Sequence, residues 1–146
     1  MNFMEKYNLF LDDIRDPVHC LNYKTNYMPD NRRVYSMEDW IIVRNYSEFV
    51  NMVKTKFEDG KFPGLISFDH DLAAEHYQTD FKDFELFTAD QLGVEETGSD
   101  CAKFIVQFCL NNNLELPSYY VHSANPSGRQ RIHEDLQDYY RYKEKL

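Results

Sequence analysis

The chain has 146 residues, 42% of them hydrophobic and 16% aromatic, which suits one compact domain over residues 1–146 and leaves little room for two. It carries 25 acidic against 16 basic residues, and its apolar runs fall far short of the ~20 residues that cross a bilayer, which excludes a membrane-spanning helix. Three cysteines cannot all pair within one molecule and no leader pattern opens the chain, so the expectation is a cytoplasmic protein.

The charge is concentrated. Residues 69 to 100 hold ten carboxylates against one base, Lys82, and the remainder balances at 15 and 15. No broad basic face is left to grip a duplex by its phosphates, so sequence-reading DNA binding is excluded. A small phosphate-bearing ligand or a nucleic-acid end, met at a local site, remains open.

Taken in chain order, Asn8-Leu9-Phe10-Leu11-Asp12-Asp13 is an apolar run ending in two carboxylates, the pattern of a buried parallel strand with its polar residues at the carboxyl end. Residues 16 to 39 have no steady period and read as a long loop with a short helix. Trp40 to Arg44 is a second strand. Asn45 with Glu48 then forms a capping-box pattern ahead of Phe49, Met52, Val53 and Phe57, a helix closed by Gly60. The Pro63-Gly64 pair reads as a break, after which Leu65-Ile66-Ser67-Phe68-Asp69-His70-Asp71 repeats the pattern of a strand ending in ionisable groups. Residues 73 to 96 are acidic and aromatic without a period, a connection of the length used for lids and binding elements, and a protein partner could dock there. After Thr97, the spacing of Cys101, Phe104, Ile105, Phe108 and Cys109 marks one apolar helical face. Ser118 to Ser123 is the last strand, and Ser127 with Gln130 reads as a second capping box before Ile132, Leu136, Tyr139 and Tyr140.

Strands alternating with helices predict a mostly parallel sheet of four visible strands covered on both faces. Ligands of such sheets bind beyond the carboxyl ends of the strands, where Asp12 and Asp13, Asp69 to Asp71, and His122 to Asn125 would converge. Carboxylates that close together ionise only beside a cation, and Mg²⁺ or Mn²⁺ suits an oxygen-rich site, with Asp12, Asp13, Asp69 and Asp71 as ligand candidates. The competing reading of Asp12 and Asp13 is that they cap the following turn. His70 and His122 are candidates for paired proton transfers on a cyclic phosphodiester, or else are hydrogen-bonded rim histidines. The segment Ser123-Ala124-Asn125-Pro126-Ser127-Gly128-Arg129 is a candidate phosphate cradle at a helix start, and equally an ordinary capped turn; it has no Walker-type Lys. Cys101 and Cys109 fit the core, and His19, His76 and His133 receive no role.

Leu11-Asp12-Asp13-Ile14-Arg15 with Pro17, Trp40 to Arg44, Ser67-Phe68-Asp69-His70-Asp71-Leu72, Thr97-Gly98-Ser99-Asp100 and Val121-His122-Ser123-Ala124-Asn125-Pro126 with Gly128-Arg129 together resemble the cyclic-phosphate-processing receiver-like domains. The resemblance implies a flavodoxin/receiver-like three-layer α/β sandwich of about four to five strands, here lacking the usual final receiver strand with its Lys. It implies action on cyclic phosphates, such as 2′,3′-cyclic RNA ends, in RNA repair or phage-host conflict. It places Asp12 and Asp13 at the receiver's acidic metal pair, Asp69 at its phosphoacceptor and Ser123 near its hydroxyl position, and makes 73–96 an insertion.

The resulting expectation is a metal-assisted phosphoesterase in which Asp12, Asp13 and Asp69 hold the metal, His70 and His122 move protons, and Arg15, Ser123, Asn125 and Arg129 bind substrate. The alternative is a module that binds a cyclic nucleotide or a protein partner without turnover. Phosphorelay signalling through Asp69 is disfavoured by the missing Lys.

Overall fold

The computed structural model describes residues 4–22, 32–36, 39–72, 97–123 and 125–145. The acidic stretch 73–96, with its expected partner surface, and Ala124 of the expected cradle lie outside the described residues. Four strands, β1 (Glu5–Leu11), β2 (Trp40–Val43), β3 (Lys61–Phe68) and β4 (Ser118–Val121), form one sheet in the order β2-β1-β3-β4 with every pairing parallel. The helices are α1 (Pro17–Asn22), α2 (Tyr46–Glu58), α3 (Gly98–Asn111) and α4 (Pro126–Glu144), with a 3₁₀ turn at Arg32–Ser36. No helix among the described residues is long and apolar enough to cross a membrane.

Alternation along β1 assigns its two faces. Leu9 and Leu11 join Ile66 and Phe68 in the larger core, which α2, α3 and α4 cover with Phe49, Ile105 and Leu136 among others. Each such side chain fully buried contributes about 1.5–3 kcal/mol. Phe10 points the other way, into a smaller cluster with Cys20 of α1 and Val34 and Tyr35 of the 3₁₀ turn. Helical elements thus flank the sheet on both sides, as the receiver-like expectation requires.

Two local readings are corrected. Pro63-Gly64 does not break the chain before β3 but lies within it: Tyr7 pairs with Pro63 and Asn8 with Leu65, so Gly64 is the extra residue of a bulge. Helix α4 is capped by Asn125, whose side chain accepts from the Gly128 N–H at 3.0 Å, with Pro126 in the first turn, and not by Ser127 with Gln130. Within 16–39 the short helix is present as α1, and among the described residues the 3₁₀ turn also delivers Tyr35 into the smaller cluster. The Asn45 cap is as read, accepting from the Glu48 N–H at 2.8 Å, and Thr97 adds a reciprocal capping box with Asp100 that was not anticipated.

Candidate functional site

Asp12, Asp69 and His122 each stand one residue beyond a strand, and the ladder continues through them. The Asp12 N–H donates to the Val43 carbonyl (3.1 Å), the Asp69 N–H to Leu11 (2.9 Å) and the His122 N–H to Phe68 (2.9 Å). By alternation Asp12 shares a face with Phe10, Asp69 with Ser67 and His122 with Tyr120, so their side chains gather on the smaller-cluster side.

Asp12 is fully buried and its carboxylate is saturated. Oδ1 accepts from the backbone N–H groups of Ile14 (3.0 Å) and Arg15 (2.8 Å), while Oδ2 accepts from Arg15 Nε (2.7 Å) and His122 Nε2 (3.0 Å). A carboxylate offers about four lone-pair positions, and all are taken here. Burial alone would raise its pKa, but the His122 bond and charge together with the two backbone donors outweigh it and hold Asp12 well below the usual carboxylate range.

Asp69 is in the opposite condition. Burial first, and then the Asp12 charge, push it up to about 7; Arg15 opposes this, with Nη2 3.4 Å from Oδ1, and Asp13 and Asp71 add to the rise. Oxygen atoms of Asp12, Asp13 and Asp69 all lie within 4.8 Å of one another. An all-carboxylate cluster still short of positive charge fits a hard divalent cation. All three residues could hold one, and Asp12 already carries four hydrogen bonds from the protein itself. Asp71 is turned toward His70 instead, with Oδ1 3.1 Å from Nδ1.

The two histidines occupy different surroundings. His70 keeps some exposure at the rim, and its ring is seated by glycine: a Cβ at Gly128 would lie 2.5 Å from its Cγ and 2.9 Å from its Nδ1. The Gly98 N–H donates to the His70 carbonyl at 2.9 Å, and a Cβ at Gly98 would come within 1.9 Å of the Asp69 carbonyl oxygen, so the start of α3 presses against the site backbone. Replacing Gly128 by alanine is expected to displace the His70 ring while the fold persists, and the NMR shifts of that ring check this.

His122 is not at the rim. It is fully buried, stacked on Phe10 (centroids 4.5 Å, 5° between planes), with Nε2 on Asp12 and Nδ1 2.7 Å from Ser67 Oγ. Burial holds its pKa below the ordinary value, against the pull of Asp12. The two imidazoles considered for paired proton transfers therefore stand apart: one keeps some exposure, the other is fully buried and bonded to Asp12.

The remaining candidates are placed as follows. Arg15 reaches inward to Asp12 and Asp69. Arg129 Nη1 donates to the Ser123 carbonyl at 3.0 Å, Ser123 is buried and its Oγ accepts from the Asn125 N–H at 3.2 Å, and Asn125 caps α4. Three residues were passed over in the sequence. Arg44 Nη1 donates to the carbonyls of Asp12 (3.2 Å) and Arg15 (2.6 Å), and its Nη2 pairs with Asp16, clamping the acidic loop from β2. Its position at the carboxyl end of an apolar strand was the available signal. Ser67 and Tyr35 extend the buried network behind His122, and of these only Ser67, a lone polar residue in an apolar strand, left a trace in the sequence.

Residues 7–138 match the family described as Cyclic-phosphate processing Receiver domain. No curated protein and no solved structure compared with the chain matches it.

Proposed function

The chain belongs to the cyclic-phosphate processing receiver family, and from that premise we propose that it is a phosphoesterase opening a cyclic phosphate with the help of a divalent cation, Mg²⁺ or Mn²⁺. The observation that carries the reading is the cluster of Asp12, Asp13 and Asp69 at adjacent strand ends with His70 beside it. A cation held by Asp12, Asp13 and Asp69 supplies charge for a phosphate oxygen and for a bound water.

The chain's own residues do the rest. Hydrolysis of a 2′,3′-cyclic phosphate adds water at phosphorus and breaks one ring P–O bond, leaving a phosphomonoester and a free hydroxyl. His70, oriented by Asp71, takes the water proton and returns it to the departing oxygen. The start of α4, which follows Ser123 and Asn125, offers the positive end of a helix to the phosphate. Arg15 and Arg129 add positive charge to the same rim. His122, being buried, acts through Asp12.

The test is phosphorus NMR of a 2′,3′-cyclic nucleotide, and of an RNA oligonucleotide ending in a cyclic phosphate, with Mg²⁺ or Mn²⁺ and then with chelator. Conversion is expected with metal and is expected to stop with chelator; His70→Ala should slow it by about 10²–10⁴-fold. The second reading is a module that binds the cyclic phosphate without turnover. Line broadening of unchanged substrate would establish that reading and overturn the esterase.

A further inference from the structure

Behind Asp12 runs an unbroken line of buried hydrogen bonds, of which the proposed chemistry uses only the last link. Tyr35 Oη lies 2.8 Å from Ser67 Oγ, Ser67 Oγ 2.7 Å from His122 Nδ1, and His122 Nε2 3.0 Å from Asp12 Oδ2. All four residues are 2% exposed or less. Each link joins a different element: the 3₁₀ turn, β3, the end of β4 and the end of β1.

The proton order along this line follows by elimination. Asp12 accepts from Arg15 and from two backbone N–H groups, so it is an ionised acceptor, and the nitrogen facing it must carry a proton. A ring with no exposure, lying flat on Phe10, is neutral, so that proton is its only one and Nδ1 is an acceptor. Ser67 must then donate to Nδ1. With its one proton spent, Ser67 must accept from Tyr35. Reversing any link would set two lone pairs or two protons against each other in a place water does not reach.

The rings around the line hold it in place. Tyr35 is stacked on Trp40 (5.7 Å, 21°) and meets Phe10 edge-on (6.1 Å, 86°). Trp40 Nε1–H in turn donates to the Val34 carbonyl at 3.1 Å, fastening the turn that carries Tyr35.

We propose that Tyr35 and Ser67 are positioning residues that lock His122 in its Nε2–H tautomer, so that the ring donates permanently to Asp12 Oδ2. Asp12 is thereby fixed as the buried anchor of the Asp12–Asp16 loop. The effect on turnover rests on the esterase reading; the tautomer does not.

The experiment uses the whole protein labelled with ¹⁵N at histidine. Long-range ring ¹H–¹⁵N correlations should show His122 with its proton on Nε2 and a hydrogen-bonded acceptor at Nδ1. In Ser67→Ala the Nδ1 signal should move toward the unbonded position, in Tyr35→Phe it should move less in the same direction, and Ser67→Thr, which keeps the hydroxyl, should restore it. A wild-type ring proton on Nδ1 overturns the proposal without any variant having to fold, and so does an Nδ1 signal that ignores the loss of the Ser67 hydroxyl. In the phosphorus assay, Ser67→Ala should lower kcat about tenfold at unchanged KM, with recovery in Ser67→Thr. If the wild type converts no cyclic phosphate, the esterase reading fails while the nitrogen spectrum still decides the relay.

Discussion

Replacing Asp12 by alanine should cost about 3–5 kcal/mol of stability, the range for breaking a buried charged pair from one side. Four donors lose their acceptor at once: His122 Nε2, Arg15 Nε and two backbone N–H groups. His122 Nε2 cannot turn to water, because the ring is fully buried. Urea unfolding checks it, as a lower midpoint at an unchanged slope. Asp12→Asn should recover part of the loss, since its amide oxygen still serves the two backbone donors, but its NH₂ group then opposes Arg15 Nε. Because the Asp12 pKa is depressed in the folded protein, its contribution is fully present above the ordinary value of 3.8 and is lost only as the pH falls well below it.

Much of this architecture was legible, because parallel strands buried on both faces write themselves as short apolar runs. Leu9 to Leu11, Ile41 to Val43 and Leu65 to Phe68 are such runs, and the carboxylates after the first and the last stand, as read, at the carboxyl ends of their strands. The errors came where one local signal had two meanings. Pro63-Gly64 carries the strongest punctuation in the chain, yet a parallel strand absorbs it as a bulge opposite Tyr7 and Asn8. Ser127 and Gln130 have capping-box spacing, but Asn125 lies ahead of Pro126 and takes the cap first.

In the site, what the sequence conveyed was residue type, and what it withheld was partner. Arg15 and Arg129 read as phosphate binders because their charge is visible, whereas their engagement with Asp12, Asp69 and the Ser123 carbonyl depends on chain reversals that no local pattern records. His122 is the instructive case. Alternation already placed it on the side of Tyr120 and, across the sheet, of Phe10, so its burial was deducible; attention to the strand end alone set it on the rim. Tyr35 was out of reach, since a short 3₁₀ turn has no period to read and its hydroxyl meets Ser67 across 32 residues.

Asp69→Asn should act in the opposite sense to the Asp12 change: it should abolish activity and make the chelator-treated protein more stable. Asp69 is an acid whose pKa rises from 3.8 to about 7 on folding, so the stability it contributes is full below the lower value and is lost as the pH climbs through the higher one. That displacement corresponds to on the order of 4 kcal/mol at pH 8. Asparagine removes this penalty, in which the attraction to Arg15 is already counted, so the net gain is on the order of 4 kcal/mol. Chelator-treated wild type should therefore lose midpoint between pH 4 and pH 8, and the variant should lose much less. Adding Mg²⁺ or Mn²⁺ at about one hundred times its dissociation constant should return about 2.7 kcal/mol to the wild type and almost nothing to Asp69→Asn. Cyclic-phosphate conversion by the variant should fall by on the order of 10³-fold or more, as the loss of several kcal/mol of charge stabilisation requires. A variant that is more stable, blind to metal and inactive would locate the strain of three crowded carboxylates at the site itself. Full conversion by Asp69→Asn would remove the cation from the mechanism.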